Sequence, residues 1–225
     1  MIMFSLVVGF TSAASAATQN YNIALSESVF AVVTHKAGVG SALAHDHFIY
    51  PSQYKSDISV DPAHPEQARF RMQFPVTALV VDDPQAKTRW FPEIKAAGIL
   101  DHPFPEVSEK DRAKIREHML DEGQLDAQRF PEISAELKSI TEKKSDTGGK
   151  GLGYEVSVAL TAHGKTVERP FLVNIEQTGD TARVKGFGSF KFTDFGIKPF
   201  SAFLGAVRNQ DLFHVFVDMK AKGGK

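Results

Sequence analysis

The sequence contains no cysteine among its 225 residues. Disulfides, thiolate metal ligands and cysteine nucleophiles are therefore excluded, and so is a lipid anchor carried by a cysteine at the mature N-terminus. Without such cross-links the protein must derive its stability from one large hydrophobic core, which a chain of this length can form. We expect the mature protein to be freely soluble.

Clusters of charge of one sign are also missing. Lysine and arginine number 26 against 27 aspartates and glutamates, and the net charge is −1. Because neutralising nucleic-acid phosphates requires several clustered cations, this distribution excludes an electrostatic nucleic-acid-binding protein. The common enzyme motifs Gly-x-Ser-x-Gly, His-Glu-x-x-His and the glycine-rich phosphate loop are absent as well, so we do not expect an enzyme.

The N-terminal apolar run, Met1 to Phe10, is too short for a membrane-spanning helix of about 20 residues. It ends in Ala14-Ser15-Ala16, the pattern that signal peptidase recognises, although no lysine or arginine precedes the run. We expect residues 1–17 to be a signal peptide and residues 18–225 to form one exported domain. This predicts a periplasmic or secreted protein.

The rest of the chain is dominated by apolar residues at every second position, which is typical of β-strands with one dry face. Phe70, Met72 and Phe74, for example, alternate with polar neighbours. Similar segments occur at 28–35, 54–60, 132–140, 155–162, 170–176, 182–193 and 212–221. At least eight short antiparallel strands favour an all-β sandwich or barrel, and a barrel of about eight strands has room for one small ligand.

Two stretches have helical features. Ser108 is a good N-cap for a helix over 109–121, and Asp83-Pro84 can begin a shorter helix through Trp90 and Phe91. A helical segment is therefore expected as an insertion near one mouth of the barrel, as a plug or lid.

Four stretches, in this order along the chain, resemble the YceI-like family of lipocalin-like proteins that bind polyisoprenoids. They are SESVFAVVTHKAG, REHMLDEGQLDAQRFPEISAELKSI, YEVSVALTAHGKTVERPFLVNIE and GFGSFKFTDFGI. The positions that match the family pattern are His35 and Gly38; Arg116, His118, Phe130 and Pro131; His163, Gly164 and Thr166; and Asp194 to Ile197. Two features differ from that pattern, namely the sequence AHDHF around His45 and a longer insertion over about 84–110.

The resemblance implies an antiparallel, eight-stranded lipocalin-like barrel that holds a long-chain isoprenoid lipid or quinone without any other cofactor. Phenylalanine is abundant, at 18 residues against one tryptophan and four tyrosines, and this composition suits an apolar cavity as well as a solid core. The candidate ligand-binding residues are Phe30, Val32, His45, His47, Phe48, Phe70, Phe74, Phe171, Phe190, Phe192, Phe195, Phe200 and Phe203.

His45 and His47 allow three interpretations. On a strand they share one face about 6.6 Å apart, so both could ligate a metal or haem in a periplasmic enzyme or redox partner. Zinc takes about three or four protein ligands, however, and the candidates for a third are His35, His163 and His214. The pair could instead hydrogen-bond the polar head group of a ligand, or could be structural histidines that bond to backbone carbonyls.

Three further residues or segments have expected local roles. His163 is expected to stabilise a hairpin turn, and Asp194 to act as a turn former or helix cap. The apolar connection Gly196 to Gly205 is either a loop at the barrel mouth, suited to transient contact with a membrane, or a packed short helix that covers the barrel end. The sequence leaves open whether two copies pair as a homodimer.

Overall fold

The computed structural model describes residues 18–39, 45–61, 64–143 and 152–224. The expected signal peptide lies outside these ranges, so it stays a prediction. The described part of the chain forms one sheet of twelve strands and two α-helices. The strands are β1 (Gln19–Ile23), β2 (Val29–Ala37), β3 (His47–Pro51), β4 (Lys55–Asp61), β5 (His64–Pro75), β6 (Leu79–Val81), β7 (Glu132–Lys143), β8 (Leu152–Ala162), β9 (Lys165–Thr178), β10 (Thr181–Lys191), β11 (Ser201–Ala202) and β12 (Val207–Gly223).

Eight of these strands form a closed antiparallel ring in the order β1, β4, β5, β7, β8, β9, β10 and β12. The ring closes where β1 pairs with β12, with Tyr21 opposite Gly223 and Ile23 opposite Ala221. Closure removes the free edges that would otherwise expose unpaired backbone groups. The predicted eight-stranded lipocalin-like barrel is confirmed.

The last strand, β12, has 17 residues and lies between β10 and β2 in the sheet while also closing the ring onto β1. One edge of β12 pairs with β10, and the other edge pairs with β2 between Arg208 and Asp218 and with β1 near its C-terminal end. Strand β2 then pairs with β3, and β3 with β6. These three strands extend the barrel wall at the end opposite β1, which we call the mouth end.

Side chains alternate between the inside and the outside of the wall, as the period of two predicts. On β12, Val215 and Val217 face the interior, while Phe216 and Asp218 face outward and are buried beneath other elements. On β10, Gly188 leaves room for the ring of Phe171, because a side chain at Gly188 would overlap that ring. The interior is therefore shaped by glycine as well as by bulky residues.

The helices are α1 (Pro84–Ala96) and α2 (Glu109–Leu120). Both begin where the sequence predicts: Asp83 accepts a hydrogen bond from the Ala86 N–H at 2.7 Å, and Ser108 accepts one from the Asp111 N–H at 3.1 Å. Neither helix combines the length and the apolar character needed to cross a membrane, as far as the described residues extend.

The two helices occupy different places. Trp90 and Ile94 of α1 pack on the outer surface of the barrel against Val33 and Phe216. The prediction that the whole helical segment plugs a mouth is therefore wrong for α1, because the outward face of β2 is itself apolar and must be covered. Helix α2, in contrast, lies across the mouth end, where Ile115 and Met119 face the interior.

Candidate functional site: an apolar barrel cavity

The barrel is hollow and encloses a cavity of about 400 Å³. Inward positions of the strands supply most of its walls, and α2 supplies part of the mouth. On β8, for example, Val156, Val158 and Leu160 all line the cavity, as successive inward residues of one strand must. The lining is almost entirely hydrocarbon, which is the chemistry of a site for an apolar molecule.

Most of the residues predicted to bind a ligand lie on this cavity, although their binding role stays a prediction. Those that line it are Phe30, Val32, His47, Phe70, Phe74, Phe171, Phe190, Phe192, Phe195 and Phe200.

Several of these phenylalanines form an aromatic wall toward the mouth end. The ring centroid of Phe190 lies 6.0 Å from that of Phe171, 5.7 Å from Phe195 and 5.9 Å from Phe213. Offset and edge contacts at these separations are favourable for aromatic rings. These contacts join three neighbouring strands and the turn after β10 at the mouth end of the cavity.

Three predicted residues are not seen to line the cavity. Phe48 is fully buried on the outer side of the wall, near α1, because it alternates with the inward residues His47 and Ile49; the prediction that it faces a ligand is corrected. His45 precedes β3 and does not line the cavity, although its ring lies 6.1 Å from that of His47. The side chain of Phe203 lies outside the described part of the structure.

His47 is one of a small number of polar residues on the cavity wall, and a buried aspartate orients it. Its Nδ1 lies 2.7 Å from Oδ2 of Asp82, whose side chain is completely buried. Oδ1 of the same carboxylate accepts a hydrogen bond from the Phe48 N–H at 2.9 Å, and Lys87 Nζ lies 4.0 Å from it. Asp82 is thus a fixed acceptor, and Nδ1 of His47 is the donor.

Thr34 lies directly opposite His47 in the pairing of β2 with β3 and also lines the cavity. It is only 2% exposed, and its hydroxyl has no hydrogen-bond partner within the described residues. Most buried polar groups in proteins are paired, so this hydroxyl is unusual.

The other polar lining residues lie mainly at the same end. They are His118 on α2, Gln124 in the turn that follows α2, and Asn209 on β12, with exposed Arg69 on β5 as the exception. The cavity therefore has a mouth end with several polar groups and a far end lined by hydrocarbon except at Arg69.

The remaining histidines do not complete a metal site with His45 and His47. No group of three or more histidine, aspartate or glutamate side chains with metal-binding geometry occurs among the described residues. His163 sits at the tip of the β8–β9 hairpin with φ +49°, and its Nδ1 donates to the Phe195 carbonyl at 3.0 Å, as expected for a turn-stabilising residue. Asp194 accepts a hydrogen bond from the Lys191 N–H and pairs with Arg169, which fits its predicted capping role.

His35 and His214 form a separate pair on the outer side of the wall. Nε2 of His35 lies 2.8 Å from Nδ1 of His214. Burial lowers the pKa of both imidazoles, and each is affected further by neighbouring charges: Asp46 opposes the shift at His35, whereas His35 adds to the shift at His214. Both imidazoles therefore bind a proton less readily than a free histidine does.

The sequence of residues 21–221 matches the model of the YceI-like domain. The chain belongs to the YceI-like family. Among solved structures, this YceI-like chain is similar to BcnA of Burkholderia cenocepacia, with a TM-score of 0.59, 15% identity, and coverage of 89% of this chain and 100% of that one. At this identity the similarity shows the fold alone.

A YceI protein of Campylobacter jejuni is also similar, with a TM-score of 0.47, 12% identity, and coverage of 79% of this chain and 84% of that one. No curated protein sequence matches this chain significantly.

Sequence reasoning missed several residues of the YceI-like cavity. Thr34 continues the inward series of Phe30 and Val32, so the period of two could have revealed it. Asp82 carries no comparable signal, because it reaches His47 across 35 positions of sequence. The lining residues of α2, such as Ile115, belong to a mostly polar helix whose position in the fold cannot be read from the sequence.

Proposed function

We propose that this YceI-like protein binds a long-chain isoprenoid lipid or quinone in the barrel cavity and carries it in the periplasm, without performing chemistry on it. The observation that supports the proposal is the hollow barrel, with about 400 Å³ of space enclosed by hydrocarbon side chains. A solid interior would leave no room for such a ligand.

The energetics favour a long apolar chain over a compact polar molecule. Each methylene that leaves water for an apolar environment gains roughly 0.8 kcal/mol. A polyisoprenoid tail therefore obtains most of its binding energy from the length of chain that it buries, with few hydrogen bonds. The far end of the cavity, where Val60, Ile140 and Ile175 line the wall, suits the tail.

The mouth end supports delivery to and from a membrane. Phe200 is 39% exposed, and Leu204 and Val39 are almost completely exposed. Gly38 packs against the backbone of Ala206, so Val39 lies beside the loop that carries Leu204.

The segment from Gly196 to Gln210 contains Lys198 and Arg208 and no acidic residue. Exposed apolar side chains flanked by cations suit the surface of a bilayer that contains anionic lipid. In this proposal the protein contacts the membrane transiently at its mouth while the ligand passes between them.

The direct test is to purify the protein from its own host and measure the ligand. Native mass spectrometry is expected to detect a stoichiometric adduct that organic solvent removes, and mass analysis of the extract is expected to identify an isoprenoid. Repeated recovery of empty protein from that host would contradict the proposal. Fractionation of the host, with detection of the mature chain in the periplasm, tests the expected export.

A further inference from the structure

The hydroxyl of Thr34 requires an explanation, because it is buried on the cavity wall without a partner. Burying a polar group without a hydrogen bond costs free energy in the empty protein. The hydroxyl of Tyr54 is likewise buried and unpaired among the described residues, but Tyr54 does not line the cavity. Thr34 is therefore the residue of the cavity lining that carries a buried, unpaired hydroxyl within the described part of the chain.

His47 provides a second polar group beside it. Thr34 and His47 are opposite each other in the β2–β3 pairing, where Cβ atoms lie about 4.5–5.5 Å apart, and both side chains face the cavity. When Nδ1 of His47 donates to Asp82 and the imidazole is uncharged, Nε2, on the other edge of the ring, is an acceptor. Within the part of the chain that is described, Nε2 has no hydrogen-bond partner.

We propose that Thr34 and His47 form a subsite that recognises a hydroxyl head group, with Asp82 setting the hydrogen-bonding polarity of His47. This inference rests on the proposed function. The ligand O–H donates to Nε2 of His47, and the ligand oxygen accepts a hydrogen bond from the Thr34 hydroxyl. A carbonyl or ether oxygen only accepts, so it leaves Nε2 unpaired. The subsite therefore selects an alcohol or a hydroquinone over the corresponding carbonyl compound.

The position of the subsite in the cavity fits an amphiphile. Thr34 is near the end of β2 that leads to the exposed residue Val39, and Asn209 lines the cavity at the same end. A head group held here lies close to the mouth, while its tail extends toward the hydrocarbon end. His45 is not part of the cavity lining, and its ring lies 6.1 Å from that of His47.

The test compares three ligands that share one tail: geranylgeraniol, its aldehyde, and the hydrocarbon without a head group. Dissociation constants are measured by calorimetry with protein freed of co-purified lipid. We expect the alcohol to bind about tenfold more tightly than the aldehyde, as one unpaired buried acceptor implies. His47→Phe is expected to reduce this preference to near unity. Thr34→Val is expected to weaken the alcohol and the aldehyde alike relative to the hydrocarbon, because both oxygens accept from the Thr34 hydroxyl.

Asp82→Asn is the most informative variant, because it tests the hydrogen-bonding role of His47 directly. An asparagine keeps its carbonyl oxygen for the Phe48 N–H, while its amide group donates to Nδ1 of His47 and moves the imidazole proton to Nε2. Nε2 then becomes a donor, so aldehyde affinity is expected to rise and the preference for the alcohol to shrink. Ile140→Val, at the far end of the cavity, is the matched control, which weakens all three ligands alike and leaves the preference unchanged.

The outcomes separate the two proposals. Tight and equal binding of the three ligands by the wild type would overturn the hydroxyl subsite and leave the carrier function standing, and so would a preference that Asp82→Asn does not alter. Failure of all three ligands to bind would overturn both. Circular dichroism of each variant shows whether a lost preference reflects the subsite or a loss of folding.

Discussion

His47 and Asp82 are joined by a hydrogen bond of 2.7 Å that connects the cavity wall to a carboxylate with no exposed surface. Asp82 also makes two hydrogen bonds with the backbone of Phe48. Its own N–H donates to the Phe48 carbonyl at 2.8 Å, and its side-chain Oδ1 accepts from the Phe48 N–H. The imidazole therefore has one defined orientation in the cavity.

Removing this carboxylate is expected to destabilise the protein strongly. Asp82→Ala leaves the Phe48 N–H and His47 Nδ1 unpaired, and it places alanine at φ +51°, a conformation that asparagine and aspartate tolerate better. The free energy of unfolding is expected to fall by about 3 kcal/mol. Urea denaturation measures the change. Asp82→Asn, which retains an acceptor for Phe48, is the control and is expected to lose clearly less.

Thr34→Val is expected to stabilise the empty protein. The substitution preserves the shape of the side chain and removes a buried hydroxyl that has no partner within the described residues. The free energy of unfolding is expected to rise by about 1 kcal/mol. Thr193→Val is the contrasting variant, because the Thr193 hydroxyl donates to Asp211 at 2.7 Å and its loss is expected to destabilise. Equal losses in both variants would show that the Thr34 hydroxyl is already satisfied.

A matched pair of phenylalanine substitutions tests whether the barrel is hollow. Val217 faces the cavity, whereas Val33 is completely buried in the cluster between the wall and α1. Val33→Phe overpacks a filled core and is expected to cost about 1–3 kcal/mol in the free energy of unfolding. Val217→Phe is expected to cost little and to weaken lipid binding, because the ring takes space that the ligand uses. A solid interior would make the two variants equally unstable.

The His35–His214 pair is expected to make stability fall in acid. Because burial lowers both pKa values, the unfolded chain binds protons before the folded protein does as the pH drops below the ordinary histidine pKa of about 6.5. Their contribution is present above that pKa and is lost as the pH falls through the lowered folded values. We expect the free energy of unfolding to decrease from about pH 7.5 to pH 5, and His214→Gln to flatten that decrease.

The pKa of His102 is shifted in the opposite direction, so His102 provides the control for the pH experiment. Hydrogen bonds to Asp101 and Asp46 raise its pKa, so its contribution to stability is present at low pH and is lost as the pH rises. His102→Gln is therefore expected to steepen the decline in acid. Identical slopes in the wild type and His214→Gln would show that the pair does not titrate as its burial implies.

Membrane contact at the mouth is tested with Leu204→Asn. Asparagine adopts the φ of +55° found at Leu204 more readily than leucine does, so the loop is expected to keep its conformation. We expect slower transfer of a prenol from anionic vesicles to the protein, with its equilibrium affinity unchanged. Leu172→Asn, at an apolar side chain that is 60% exposed on β9, is the control for loss of apolar surface away from the mouth. The same decrease in both variants would argue against docking at the mouth.

The local features of the fold could be predicted from the sequence. Strand β8 follows from its alternating Val156, Val158 and Leu160, and the starts of the helices follow from Ser108 and Asp83-Pro84. Strands β6 and β11, with three and two residues, are too short to show a period, and the sequence analysis did not identify them. The prediction that Phe48 faces the cavity was wrong. Phe48 follows His47 directly on β3, and a strand places neighbouring side chains on opposite faces.

The sequence alone determined that this chain forms many strands with one dry face each, because alternation is a local property of neighbouring residues. The tertiary structure decided that those dry faces surround a cavity, since closure depends on β1 pairing with β12 at the other end of the chain. It also decided which polar groups meet there. Thr34, His47 and Asp82 come from separate segments, and only the pairing of β2, β3 and β6 brings them together.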